Sequence, residues 1–320
     1  MEINDTLEKW LGEPGFSKNI ACLRQSPARE GKFVPFPEHF SQKIRAMLAE
    51  AGIDALYAHQ AEAIEAVFNG ENVVLSTGTS SGKSLCYTVP ILTRQLEDPG
   101  TTALLLFPTK ALTNDQYYTF NRFARNLSGE KVLPAIYDGD TPAHQRSTMR
   151  KIATILMTNP DMLHQGILPH HTNWAKFFSG LRLVVIDEMH VYRGVFGSHF
   201  ANLIRRLKRV CAFYNSYPQF ILTSATIGNP AELAQALIEQ PVHLIEQDFS
   251  PKGPQNLLIY NHPFVDEKLG IRKSSLDFGV SFTQKLMRDG HQSLIFARTR
   301  RTVEMLLTYL RDRLSASERQ

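Results

Sequence analysis

Cysteine is scarce in this chain: Cys22, Cys86 and Cys211 are the only three in 320 residues, widely spaced and odd in number. That argues against a disulfide framework or a zinc site, and points to reduced thiols in a cytoplasmic protein. Long apolar runs are missing too. No stretch approaches the roughly 20 residues a spanning helix needs, so no membrane association is expected. The start, Met1-Glu2-Ile3-Asn4-Asp5, is acidic and lacks the basic-then-apolar order of a secretory signal. Neither sign of charge dominates: 35 basic and 31 acidic residues leave a formal +4, which permits a polyanionic partner without demanding one. There is no internal repeat and no low-complexity tract. The remainder, 43% hydrophobic and 21% charged, has the balance of a globular protein of about two domains. Nothing in the pattern fixes an oligomeric state.

Beyond the first fifty residues, short β-rich runs alternate with amphipathic stretches. Asn72–Leu75, Ala103–Phe107, Thr154–Met157, Leu183–Ile186 and Gln219–Leu222 read as buried parallel strands. Lys110–Arg125 and Ser198–Tyr214 read as helices between them. This rhythm predicts an α/β fold with a doubly wound parallel sheet. Ser250-Pro251-Lys252-Gly253-Pro254 is rich in turn formers and predicts a linker. Past it, Asn256–Tyr260 and Ser293–Phe296 restart the strand pattern, and 302–314 reads as a helix. Residues 1–50, with Pro14, Pro27, Pro35 and Pro37, read as an irregular arm followed by a short helix.

The chemistry is concentrated in two places. The first is Ser76-Thr77-Gly78-Thr79-Ser80-Ser81-Gly82-Lys83-Ser84, between a predicted strand and a predicted helix. That is the setting of a phosphate loop. Gly78 and Gly82 allow close backbone approach, and the N–H groups from Thr79 to Ser84 can then face a phosphate. Lys83 would supply a point charge to the β- and γ-phosphates, and the Ser84 hydroxyl a magnesium ligand. Thr77 stands where the commonest pattern has a glycine, and an ordinary strand-to-helix turn is the plainer alternative.

The second is Asp187-Glu188-Met189-His190, at the end of a strongly apolar strand, where α/β sheets present their ligand sites. Asp187 would hold magnesium, and Glu188 would orient and deprotonate an attacking water. An acid-rich helix start is the alternative. Asn159-Pro160 equally fits a helix start. Arg205-Arg206-Leu207-Lys208-Arg209 reads as a solvated helix face, and His170-His171 as loop.

From residue 50 to about 310 the order of segments resembles the superfamily-two DExH-box helicases. Leu56-Tyr57-Ala58-His59-Gln60 looks like the adenine-reading motif, Phe107–Leu112 and Thr158–Asp161 like strand-gripping motifs. Thr223-Ser224-Ala225-Thr226 looks like the motif coupling nucleotide state to strand binding, and Ser293–Arg300 like an early strand of the second motor domain. The wording from Tyr192 to Gly197 looks closest to bacterial mitomycin-repair helicases and their fungal RecQ-related cousins. The resemblance implies a RecA-like ATP-binding domain over 51–250 and the incomplete start of a second, truncated RecA-like domain over 255–320, after an arm at 1–50. It implies ATP and Mg2+ as cofactors and nucleic acid as partner, with single-stranded DNA expected. Gln60 would read adenine; Thr109, Lys110, Thr158, Asn159 and Arg298 would touch the strand backbone; Ser224 and Thr226 would couple the two events.

Residues 253–320 fall short of the roughly 100–200 that a whole domain takes, and the family's later arginine-rich motifs are not found among them. Two expectations therefore compete. One is the ATP-binding portion of a DNA helicase, turning over slowly by itself and unwinding nothing. The other is a remnant that binds nucleotide and nucleic acid without catalysis.

Overall fold

The computed structural model describes residues 3–127 and 132–313. They form two compact units. One runs from Glu30 to Lys252; the other joins the chain up to Arg29 with that from Gly253 onward.

The larger unit is built on seven parallel strands, numbered here within that unit. They are β1 (Val73–Ser76), β2 (Thr102–Leu106), β3 (Pro134–Ile136), β4 (Ile155–Thr158), β5 (Leu181–Ile186), β6 (Gln219–Ser224) and β7 (His243–Ile245). Their order across the sheet is β7-β1-β6-β5-β2-β4-β3. Each predicted strand of this region is present, displaced by a residue or two at its ends. The strands are apolar through their central residues, where both faces are covered, and polar residues such as Arg182, Gln219 and Ser224 fall toward their ends. Val73, Leu75, Ala103, Leu105, Ile155, Met157, Leu183, Val185 and Ile221 pack into one core. The alternate residues Val74, Leu104, Leu106, Leu156, Val184, Ile186, Phe220 and Leu222 pack into the other. A period of two, buried on both sides, is what helices on both faces of a parallel sheet require.

Helices α1 (Lys83–Glu97) and α2 (Lys110–Arg125) follow β1 and β2, and α3 (Gly194–Phe213) and α4 (Pro230–Ile238) follow β5 and β6. The helix expected to start at Ser198 begins four residues earlier, at Gly194. The basic run on α3 is a helix face pinned by its neighbours. Leu207 is buried, Arg205 pairs with Glu239 at 2.7 Å, and Lys208 Nζ donates to the Ile238 carbonyl at 2.7 Å.

Four sequence expectations need correction or limit. Residues 3–29 are not an irregular arm: helix Ile3–Leu11 precedes strand Ile20–Ser26, which pairs antiparallel with Gln255–Tyr260. The rings of Trp10, Phe16, Tyr260 and Phe282 pack together there, with Trp10 and Phe282 at 4.9 Å and Phe16 and Tyr260 at 5.0 Å. Pro14 and Pro27 suggested irregularity here, but Pro14 opens a short helix and the aromatic cluster packs the segment. Ser293–Phe296 is not a strand. Among the described residues this unit contains only antiparallel pairings, so no neighbour receives it, and Leu294 and Phe296 are 80% and 87% exposed. The loop expected at His170-His171 is a kink between two short helical turns within Leu168–Trp174: His170 is non-helical at φ −113° and ψ 30°, and His171 Nδ1 lies 2.9 Å from the Tyr214 hydroxyl. The final helix is Arg300–Arg313, and Leu314 lies outside the described residues.

Candidate nucleotide site

Because the strands are parallel, the loops after β1, β2, β4, β5 and β6 all leave at the same edge of the sheet. Register brings them level: Ser76 pairs with Ser224, and Leu106 pairs with both Ile186 and Thr158. The chemistry-bearing segments read from the sequence of this unit therefore converge on one rim. Gln60 and His59 join it from helix Ala58–Phe68.

The phosphate loop spans from β1 to the first turn of α1. Gly82, just before that helix, has φ +75°, and a side chain there would collide with Gln60, so glycine is required twice over. Ser80 holds φ 58° without that freedom. Thr77, the departure from the commonest pattern, is buried, with its hydroxyl 2.7 Å from Ser81 Oγ. Ser81 gives its single proton to the Gly78 carbonyl at 2.9 Å, so Thr77 must donate to Ser81. This hydroxyl relay fixes the loop where a glycine would leave it loose.

Lys83 Nζ donates to the Thr77 and Gly78 carbonyls at 3.1 and 2.7 Å, curling under the loop. Burial lowers its pKa, and the carboxylates of Glu188, Asp187 and Asp248 oppose that. The ammonium is thus partly desolvated and faces the acidic motif across the rim. Thr79, Ser80 and Ser84 present no competing side-chain bond to it, and Thr79 and Ser80 are exposed.

Asp187 is 7% exposed. Its Oδ1 accepts from the Thr223 hydroxyl and from the Glu188 backbone N–H, the latter at 3.1 Å. Both bonds use Oδ1, which leaves Oδ2 as the oxygen available to a cation. Burial raises the Asp187 pKa, and the Thr223 hydrogen bond works against that rise. A buried carboxylate with Oδ2 available fits magnesium, which is commonly held by one or two protein oxygens together with substrate phosphates. No cluster of three or more metal-ligating side chains exists among the described residues.

Glu188 sits in the left-handed region at φ 51°, a strained conformation for a side-chain-bearing residue. Its Oε2 lies 3.2 Å from His190 Nδ1, and the same Nδ1 lies 3.3 Å from the Ala225 backbone N–H. One nitrogen cannot serve both. Protonated at Nδ1, His190 donates to Glu188; unprotonated there, it accepts from Ala225. The two distances describe alternatives, and His190 links the acidic motif to Ser224-Ala225-Thr226. Ser76 Oγ and Ser224 Oγ both donate to the Ala225 carbonyl, at 3.2 and 2.7 Å. Ser224 is buried and Thr226 exposed.

The remaining predicted residues are distributed as follows. Gln60, 4% exposed, uses both ends of its amide: Oε1 accepts from Tyr57 N at 2.9 Å and Nε2 donates to the Gly82 carbonyl at 3.0 Å. Here it braces the loop. Thr109 caps α2 by accepting from Leu112 N at 3.3 Å, and Asn159 caps the next helical turn by accepting from Met162 N at 2.9 Å. Lys110 pairs with Asp140 at 2.7 Å, both exposed and so weakly held. Thr158 is fully buried and donates to the Tyr137 carbonyl at 2.5 Å, so its hydroxyl does not face the rim. Arg298 is exposed and lies in the other unit.

Four contributors went unassigned from sequence. His59 is fully buried; its Nε2 meets the Ser81 carbonyl at 2.9 Å and its Nδ1 accepts from Phe249 N at 3.2 Å. A carbonyl partner requires Nε2 to carry the proton, and burial lowers the pKa, so His59 props the loop as a neutral ring. His190 and Thr223 are the second and third. All three lie inside segments quoted as motifs, so their signal was present and unread. The fourth, the Asp248–Lys252 pair, belongs to no motif.

Thr223→Val tests the electrostatics. It removes the hydroxyl that favours the ionised carboxylate, so the Asp187 pKa should rise further. With Asp187 as the expected Mg2+ ligand, metal-dependent nucleotide binding would need it ionised. Its loss on acidification should therefore begin at higher pH in the variant than in the wild type, and coincident acid limbs in a pH series of affinities would contradict this.

The fold and rim are those of a phosphate-loop α/β domain. Residues 57–233 match the DEAD/DEAH box helicase family model, and the chain belongs to that family. It is 44% identical over 296 residues to the uncharacterised ATP-dependent helicase YprA of Bacillus subtilis, covering 92% of this chain and 39% of that protein. It is 35% identical over 325 residues to the ATP-dependent helicase hrq1 of Schizosaccharomyces pombe, covering 99% of this chain and 31% of that protein. Among solved structures, the DUF1998 helicase MrfA bound to DNA matches with a TM-score of 0.91 and 42% identity, over 98% of this chain and 41% of that one. The fold is accordingly RecA-like. The chain spans about two fifths or less of the length of these relatives. No helix among the described residues is long and apolar enough to cross a membrane.

Proposed function

We propose that this chain carries the ATP-binding portion of an ATP-dependent DNA helicase, coupling hydrolysis of Mg-ATP to movement along a DNA strand. The observation that supports this best is the convergence of Lys83, Asp187, Glu188 and the Ser224-Ala225-Thr226 segment on one rim. Lys83 and the loop amides would hold the β- and γ-phosphates. Ser84 and Asp187 would hold Mg2+, which neutralises phosphate charge when bound. Glu188 would take a proton from the attacking water. His190 would report the state of Glu188 to Ala225 by exchanging one Nδ1 partner for the other. Gln60, already against the loop, would add its reading of the adenine edge.

Single-stranded DNA is the proposed partner, gripped through its phosphates at Thr109, Lys110 and Asn159; Thr158, fully buried with its hydroxyl and carbonyl both engaged, supports the loop that carries Asn159 rather than meeting the strand, and Arg298 is proposed as a strand contact of its own unit. Such contacts position a strand without reading its sequence. A role in DNA repair accords with the resemblance to the mitomycin-repair helicases, and the free thiols of Cys22, Cys86 and Cys211 accord with a cytoplasmic setting. Fluorescence titration with labelled oligonucleotides at several salt concentrations tests the partner. Weak binding, indifferent to sequence, should lose affinity with a logarithmic slope of about 0.7 per phosphate neutralised. Tight binding that ignores salt would contradict the reading.

A further inference from the structure

After β7 the chain returns to the phosphate loop, and residues 248–252 rest on it. The segment is anchored by backbone: Phe249 N donates to His59, and the Phe249 carbonyl accepts from Lys32 N at 3.0 Å. Asp248 turns its carboxylate inward, with a side chain only 10% exposed. Its Oδ1 accepts from Ser250 N and Ser250 Oγ at 3.0 and 2.6 Å, and its Oδ2 pairs with Lys252 Nζ at 2.7 Å. The pair lies directly against Gly78. A Cβ on that glycine would sit 2.7 Å from Lys252 Nζ and 3.0 Å from Asp248 Oδ2. The carbonyl of the same glycine accepts from Lys83 Nζ at 2.7 Å. Two ammonium groups therefore converge on one loop residue, and the absence of a side chain at Gly78 leaves the space that the second occupies.

A carboxylate beside a phosphate site repels its ligand unless its charge is matched. Lys252 supplies the match here, and its stem is long and flexible, with the side chain 35% exposed. An incoming polyphosphate offers the ammonium a second, more highly charged anion within a short swing. We propose that Lys252 is a second phosphate-recognising residue of this site, held on Asp248 without nucleotide and transferred to the phosphates when nucleotide binds. The proposal rests on the nucleotide-site reading above. Asp248 is then a positioning residue that keeps the ammonium at the loop and competes for it. Lys252 is also the last residue of its unit before Gly253, so its partner exchange would occur where the chain leaves the motor domain.

The test is titration calorimetry of Mg-AMP-PNP into the full chain and its Lys252→Met, Lys252→Arg, Asp248→Asn and Lys83→Ala variants, each with a thermal melt. Lys252→Met should weaken binding by about tenfold, the scale of one charge-assisted hydrogen bond, with an unchanged melt. Lys252→Arg should recover most of that loss. Asp248→Asn, which removes the competitor, should bind at least as tightly as the wild type. Lys252→Met within about twofold of wild type overturns the proposal. So does an Asp248→Asn loss equal to that of Lys252→Met, which would make the pair merely structural. Lys83→Ala separates the two levels. If it alone loses binding, the Lys252 proposal fails and the nucleotide site stands; if it too binds normally, the site reading itself fails.

Discussion

Lys83→Ala should weaken Mg-ATP binding by at least about a hundredfold, the effect of removing one partner from a partly desolvated charge pair. The ammonium already touches the loop from below at Thr77 and Gly78, so its contribution is preorganised rather than recruited. Phosphate would displace those carbonyls at little entropic cost. The sequence alone gives no other fixed cation near the loop; the structure corrects that, because Lys252 Nζ lies against Gly78. Residual binding in the variant is therefore expected, weak but measurable by calorimetry. Affinity equal to wild type would remove the phosphate-loop assignment.

Glu188→Gln should leave ATP affinity within a few-fold of wild type while slowing hydrolysis by about 10²–10⁴, the usual contribution of a positioned general base. The amide keeps the shape of the carboxylate but cannot accept a proton from water. Its neighbourhood adds a second consequence. With the charge gone, the glutamine amide oxygen is a weaker acceptor for His190 Nδ1–H, so the balance should move toward the Ala225 N–H. Single-turnover hydrolysis of labelled ATP at excess protein measures the first effect even where turnover is slow. Equal rates in the two proteins would mean that another group takes the proton.

The sheet was legible because its physics is local and one-dimensional. A strand covered on both faces must be apolar throughout, as Val73–Leu75 and Leu183–Ile186 are. The loops at its carboxyl edge carry small and acidic residues that such a strand would otherwise exclude. The same rule failed at Ser293–Phe296, where the pattern is right but a parallel strand needs neighbours, and apolar pattern does not supply them. Residues 3–29 were misread for the converse reason: prolines are visible locally, while the partner strand Gln255–Tyr260 lies over two hundred residues away in sequence. In the site, the residues proposed to act on phosphate were readable because their type and spacing follow from phosphate chemistry. Those that act on other residues were not. Thr223 matters through Asp187, His59 through Ser81 and Phe249, and Lys252 through Asp248, contacts that only the folded chain creates. Thr158 errs the other way, matching a strand-gripping motif while its hydroxyl is spent on Tyr137.

That the phosphate loop and the acidic motif form one Mg-ATP site is tested most directly by measuring AMP-PNP affinity with and without Mg2+ in the wild-type chain and in Asp187→Asn. The expected result is that Mg2+ tightens binding to the wild type and has little effect on the variant, whose metal-free affinity is unchanged or improved by loss of a buried negative charge. Equal Mg2+ dependence in both proteins, or no binding by the wild type, would contradict it.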